Sequence, residues 1–239
     1  MARHNYFQFS DILKDEKATG LQGKIASQHL RLYHIVEKIE KPLVLEFGVQ
    51  KGLTTCVLLE ACEITGGRLV SVDISDCSDV AQSPCWKFIR TSDQNIDEIL
   101  AQAPELKDGI DLLHIDSVHT REHVSGLLMK WFPYVKQGGF VTFHDIDENP
   151  YRLGQRKADR FKEKNIAELG RLVRDFFYAN EDSLYLEYHF GSTGFAFMKK
   201  QSPLRSLPNP PIRILNYYES IKEAFDMLYS AVKRRLLHL

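Results

Sequence analysis

The sequence predicts an α/β fold, a mostly parallel seven-stranded sheet with helices on both faces and an antiparallel hairpin at its C-terminal end. Three observations predict it. Short apolar runs alternate with helical patterns between residues 43 and 177, the order that builds a parallel sheet covered on both sides. The first run, Val44-Leu-Glu-Phe47, passes through a turn holding Gly48 and Gly52 straight into a helix. Two strand-like runs close the series, 183–190 and 193–199, joined at Gly191-Ser192 with hairpin spacing.

An amphipathic segment at 25–39 precedes the sheet as a helical cap. Strand 43–47 is a short apolar run, as expected of a strand buried on both faces, and ends on the carboxylate of Glu46. Gly48 and Gly52 let the backbone turn tightly and approach a ligand. Thr54 and Thr55 then open helix 54–64 with free N–H groups and hydroxyls. Turns of this kind, at the carboxyl ends of strands, are where open α/β sheets bind ligands; an ordinary strand–helix turn is the alternative. A dinucleotide loop needs a second glycine two residues after the first. Gln50 holds that position and Leu53 the next, so NAD is disfavoured. Strand 69–72 closes on Asp73, whose carboxylate can accept hydrogen bonds from both hydroxyls of a ribose. The expected ligand is therefore a nucleoside without a pyrophosphate. Strands 87–90, 111–115 and 140–143 follow, with helices at 96–101, 119–134 and 166–177.

Bulk properties exclude several classes. With 31 basic and 32 acidic residues the net charge is −1, so neither nucleic acid nor an anionic membrane is implied as a partner. No apolar run reaches the ~18–20 residues of a membrane span, and the N-terminus lacks a secretory apolar core. A cytoplasmic location is the expectation. The four cysteines form no C-x-x-C pair, which predicts buried or half-buried free thiols.

Residues 1–200 thus form the predicted domain, and 201–239 a proline-rich linker and a last helix. Four prolines lie between 202 and 211. Beyond them Ile214, Tyr218, Ile221, Phe225, Leu228, Val232 and Leu236 make one apolar stripe. Burial on its own domain is the expectation, with a homodimer contact or a lid over the site as alternatives.

Chemistry is expected between Asp111 and Asp147, where four of the nine histidines, His114, His119, His123 and His144, fall with Asp116, Asp145 and Asp147. Asp116 and His144-Asp145 each follow an apolar strand and emerge at the ligand-binding edge. Together they offer oxygen and nitrogen ligands to a divalent cation; alternatively, Asp116 caps the next helix and His144 is a satisfied interior histidine. His114 is expected in the core with a backbone partner, and His123 on a solvated helix face.

Glu46-Phe-Gly-Val-Gln-Lys-Gly52, Asp73 and Thr91-Ser-Asp93 resemble the motifs of class I methyltransferases, Rossmann-like enzymes that use S-adenosylmethionine. The resemblance implies cofactor contacts at Glu46, Gly48, Gly52, Thr54, Asp73, Ser92, Asp93 and Asp116. His114-Ile-Asp-Ser-Val-His119 and Gly138-Gly-Phe-Val-Thr-Phe-His-Asp145 are similar to the branch holding macrocin-type sugar O-methyltransferases and cephalosporin-hydroxylase-like proteins. That branch implies metal ligands at Asp116, His144 and Asp145, with His144 standing where relatives have an acid, and Mg²⁺ as the ion, Mn²⁺ being the alternative. It also implies a catalytic aspartate two residues after the first ligand. Here that residue is Val118, which cannot accept a proton. His119 is the nearest titratable substitute, or else a polar residue beginning the helix, so His119 and Asp116 are the expected catalytic residues. The implied activity is metal-assisted O-methylation of a small hydroxylated acceptor, a sugar or a phenol. A cephalosporin-hydroxylase-like enzyme of different activity and a non-catalytic cofactor-binding subunit are the alternatives. The acceptor pocket is expected from the N-terminal segment, the 147–161 loop and the last helix.

Overall fold

The computed structural model describes residues 3–214 and, beyond them, 221, 222, 224–226, 228, 229 and 232. In chain order the elements are β1 (Arg3–His4), α1 (Phe9–Asp15), α2 (Leu21–Val36), β2 (Leu43–Phe47), α3 (Leu53–Thr65), β3 (Arg68–Asp73), β4 (Ala81–Gln82), β5 (Trp86–Arg90), α4 (Ile96–Gln102), β6 (Ile110–Ile115), α5 (Arg121–Trp131), β7 (Val135–His144), α6 (Asn149–Arg152), α7 (Arg160–Ala179), β8 (Leu184–His189) and β9 (Phe195–Lys200). Seven strands form one sheet in the order β5-β3-β2-β6-β7-β9-β8, and β1 pairs with β4 alone. All neighbours from β5 to β7 are parallel, and β9 runs antiparallel to both β7 and β8.

Alternation along the strands sorts the core into two layers. Leu45, Phe47, Val70, Val72, Leu113 and Ile115 pack with Ile99 of α4, Leu127 and Trp131 of α5, and Leu169 and Phe176 of α7. Val44, Leu69 and Leu112 pack on the opposite face with Leu32 and Val36 of α2 and Leu58 and Leu59 of α3. These side chains are at most 1–2% exposed, and each is worth about 1.5–3 kcal/mol of hydrophobic burial. β2 lies between β3 and β6, so the chain leaves it in one direction and returns on its other side. The crevice beyond β2 and β6 is therefore the switch point where ligands bind.

α2 spans Leu21–Val36 and α5 Arg121–Trp131 where the sequence predicts 25–39 and 119–134, and two further elements begin well before their predicted bounds. β7 begins at Val135, before the expected 140, because Lys136-Gln-Gly-Gly139 is polar and its pairing with β6 slips through a bulge. α7 begins at Arg160, before the expected 166, because its polar first turns are fixed by a cap: Asp159 accepts from the N–H groups of Phe161 and Lys162. The short α1 and the β1–β4 pair carried no periodic signal. The four cysteines are free thiols, three buried and Cys85 half-buried, as expected.

The N-terminal cap is fastened to the far edge of the sheet. Arg31 of α2 forms a forked pair with Glu187 of β8, at 3.1 and 2.8 Å. The proline-rich stretch is a strap along the domain rather than a free linker. The Arg205 guanidinium lies 4.3 Å from the Tyr134 ring centre, and Asp175, ion-paired with Arg121, accepts from the Ile214 N–H. Among the described residues of the last helix, Ile221, Phe225, Leu228 and Val232 are exposed, which corrects the expectation that this stripe packs back on its own domain. Tyr218 and Leu236 lie outside the described residues. No described helix is long and apolar enough to cross a membrane.

Gly170 lies where α7 crosses the loop after β7, and a Cβ there would overlap the carbonyl oxygen of Ile146. Gly170→Ala should therefore lower stability by about 1–3 kcal/mol through overpacking. Urea unfolding checks this, and an unchanged midpoint would show that the loop gives way freely.

Candidate active site

The turn after β2 is built against the loop after β6. Gly48 has φ +90°, and a Cβ on it would overlap the carbonyl oxygen of Asp116. Glycine is thus demanded here by the chain's own backbone, where the sequence suggested close approach to a ligand. A Cβ on Gly52 would likewise strike the Val80 side chain. The Gly48 N–H donates to the Val72 carbonyl at 3.0 Å and the Asp116 N–H to that of Phe47 at 2.9 Å, so three strand ends meet at one point.

A cavity of about 370 Å³ opens there, lined by Gly48, Gln50, Asp73, Ser92, Asp93, Asp116, Val118 and His123 among others. Asp73 stands at the end of β3 as expected. Its Oδ2 accepts from the N–H of Val49 at 2.8 Å and its Oδ1 from that of Ser75 at 2.9 Å, so it also fixes the glycine turn. Asp93 accepts from Ser117 Oγ at 2.5 Å and His123 Nε2 at 2.8 Å. His123 is therefore part of the cavity wall, not a solvated helix residue. A second cavity of about 350 Å³ shares Gly48, Gln50 and Asp116 and reaches Gly52, Thr54, His29 and Arg156.

Glu46 behaves differently from expectation. It is fully buried in β2, lines neither cavity, and its Oε2 accepts from Thr55 Oγ1 at 2.8 Å and Ser71 Oγ at 2.7 Å. Burial outweighs these hydroxyls and pushes its carboxyl up to about 8, and its Oε1 has no partner. It braces the turn from beneath. His114, beside it in register, is also fully buried: its partner is the Thr142 hydroxyl at 2.9 Å rather than a backbone group, and burial lowers it to about 3.

Asp116 gathers the histidines. The Nε2–H of His119 and the Nδ1–H of His144 both donate to its Oδ1, each at 3.0 Å. Thr120 caps α5 by accepting from the His123 N–H, which removes helix capping as the role of Asp116. For His144 burial opposes the charge, but the Asp116 carboxylate outweighs it and raises the imidazole to about 9. Asp116 is held far below the usual carboxylate range: burial opposes this, but His144 and the two hydrogen bonds prevail. Donor atoms of Asp116, His119 and His144 lie within 4.8 Å of one another, a grouping fit for one divalent cation. The structure thus brings His119 into the cluster where the sequence placed Asp145. Asp145, in a left-handed conformation (φ 56°), sits with Oδ2 3.9 Å from His119 and Oδ1 3.8 Å from His144. A third cavity, about 620 Å³, adjoins this cluster and takes in Tyr151, Arg156, Phe161 and Lys162.

Residues 45–146 match the family model described as Methyltransferase domain. The fold is that of class I methyltransferases. The MycE methyltransferase of the mycinamycin biosynthetic pathway, solved with Mg, S-adenosylhomocysteine and mycinamycin VI, superposes with TM-score 0.55 at 16% identity, covering 80% of this chain and 52% of that one. This chain therefore spans about half the length of that protein. The S-adenosylhomocysteine-bound methyltransferase PaMTH1 of Podospora anserina gives TM-score 0.54 at 10% identity, covering 81% and 86%. No curated protein sequence matches the chain.

Sequence reasoning missed three cavity residues. His29 is buried in α2, hydrogen-bonded to the Ile25 carbonyl at 2.8 Å and to Thr54 Oγ1 at 3.2 Å, and burial lowers it to about 4. Arg156 lies in the loop expected to shape the acceptor pocket, without a pattern that marked it, and Ser117 was passed over inside a quoted motif. Phe7 and Ile25 bring the N-terminal segment to the second cavity as expected, whereas no described residue of the last helix lines any of the three.

Glu46 gives a pH signature. Its folded value lies above the ordinary 4.5, so between about 4.5 and 8 the folded chain keeps a proton that the unfolded chain releases. Stability from this group is present below 4.5 and is lost as pH rises to about 8, at up to about 1.4 kcal/mol per unit. Glu46→Gln carries no such proton and should gain on the wild type steadily from pH 5 to 8 in urea unfolding. Parallel pH profiles would show that Glu46 is not held neutral.

Proposed function

We propose that the chain is an S-adenosylmethionine-dependent O-methyltransferase acting on a small hydroxylated acceptor, a sugar or a phenol, with a divalent cation at Asp116, His119 and His144. One observation carries the reading: a metal-compatible cluster stands at the junction of the cavities over β2 and β6, in a fold whose solved examples include proteins bound to S-adenosylhomocysteine. Mg²⁺ in the MycE complex supports that ion, and two imidazoles suit Mn²⁺ as well.

The residues divide the work by position. Gly48, Gly52 and Thr54 shape the turn that receives the amino-acid end of the cofactor. Asp73 accepts from the ribose, and Ser92 and Asp93 face the adenine. Glu46 acts by fixing the turn. The sulfonium methyl arrives already activated, so the demand on the protein is an oxygen nucleophile at neutral pH. A divalent cation lowers the pKa of a bound hydroxyl and fixes its direction. Asp116 favours positive charge at this point, as its effect on His144 shows. This reading moves His119 from base to ligand. Asp145, facing both imidazoles and bordering the acceptor cavity, becomes the carboxylate that takes the hydroxyl proton, a role Val118 cannot fill.

Calorimetry should show S-adenosylhomocysteine binding and no NAD binding. Asp73→Ala should weaken the former by about 1–3 kcal/mol, partly through loss of the N–H bonds that hold the turn. Comparable NAD affinity would end the methyltransferase reading.

Exhaustive EDTA treatment should abolish methylation of any phenol or sugar in an acceptor panel while leaving cofactor affinity in place. Asp116→Ala and His119→Ala should both lose bound metal, whereas Asp145→Asn should keep it and lose rate. Full turnover after chelation would leave the cluster a structural one.

A further inference from the structure

The third cavity contains a guanidinium with no ion-pair partner. Arg156 donates from Nη2 to Ser192 Oγ at 2.8 Å, while its Nε is buried and has no hydrogen-bond partner. Among the described residues no carboxylate lies within ion-pair distance of its guanidinium. The two nearby acids are otherwise engaged, Asp116 with both histidines and Asp145 facing them. Burying a guanidinium N–H without an acceptor costs free energy, and a planar fork of donors matches the two oxygens of a carboxylate or a phosphate. Lys162 lines the same cavity and adds a second positive charge, and Tyr151 and Phe161 supply apolar walls beside them. All four stand in the cavity that also holds His144 and Asp145.

We propose that Arg156 binds an acidic oxyanion carried by the acceptor itself, so that the substrate is a hydroxylated acid, anchored by its carboxylate or phosphate while its hydroxyl meets the Asp116 cluster. This rests on the methyltransferase reading and narrows its substrate class: neutral sugars and simple phenols become poor acceptors. The anchor also explains orientation, because one fixed charge at Arg156 and one fixed oxygen at the cluster leave the acceptor a single direction in the cavity.

The test uses the full chain, labelled so that the Nε–H of Arg156 is visible by NMR and saturated with S-adenosylhomocysteine. Inorganic phosphate, benzoate and neutral benzamide are the probes. Phosphate or benzoate should shift the Arg156 signal saturably and benzamide should not. The stronger of the two anions identifies a phosphorylated or a carboxylated acceptor. Arg156→Gln should weaken anion binding about ten- to a hundredfold, the range of a charge-assisted pair, and Arg156→Lys, which keeps charge but not the fork, should fall between. S-adenosylhomocysteine affinity should stay within about twofold in both. An unmoved signal, or equal anion affinity in wild type and Arg156→Gln, overturns the proposal. So does a loss of S-adenosylhomocysteine affinity matching the loss of anion binding, because Arg156 also borders the second cavity and would then serve the cofactor's own carboxylate. If S-adenosylhomocysteine fails to bind at all, the methyltransferase reading falls, and the anion titration on the cofactor-free chain still decides the role of Arg156.

Discussion

The contact of Gly48 with the Asp116 carbonyl is the constraint on which the site depends. Two loops that leave neighbouring parallel strands would ordinarily diverge, but here they are pressed together with no room for a side chain between them. One side of that contact becomes the floor of the first cavity. The other side presents the Asp116 carboxylate to His119 and His144. Displacing either loop would move the cavity floor and the Asp116 cluster together.

Beneath it runs a polar row across the sheet. Ser71, Glu46, His114 and Thr142 occupy matching register positions on β3, β2, β6 and β7, all fully buried. An apolar residue in place of Glu46 would spare its desolvation, yet Thr55 at the start of α3 would lose its acceptor. The Glu46 carboxyl thus ties the sheet to the helix that follows the turn. Buried polar groups of this kind fix geometry more than they add stability. Glu46 and His114 both leave an atom unpartnered, and burial shifts each toward its neutral form.

Above the contact the balance of charge reverses. Asp116 stays ionised although half-buried, because two imidazoles donate to one of its oxygens. The result is a compact centre in which positive charge is welcome next to a cavity containing Arg156 and Lys162. His29, held neutral by burial and bonded to Thr54, separates this centre from the apolar N-terminal cap.

The sheet, the order of its helices, and the strand ends at which Asp73, Asp93, Asp116 and His144 emerge were all legible in the amino-acid order. These follow from local patterns: apolar runs give the strands, and glycines and acids mark where they stop. The sequence also disfavoured a dinucleotide loop through Gln50, and it pointed to free thiols. Which of those residues meet depends on how the strands and helices pack. Glu46 and Asp145 look equivalent to Asp73 and Asp116 in sequence, but side-chain direction buries the first under the turn and sets the second outside the tightest group. His119 and His123, four residues apart on either side of a helix start, go to different acids in different cavities. Arg156 had no signal because a loop residue is read only through its neighbours in space. The polar turns of α7 and β7 were hidden for the converse reason, since capping and pairing, not periodicity, hold them.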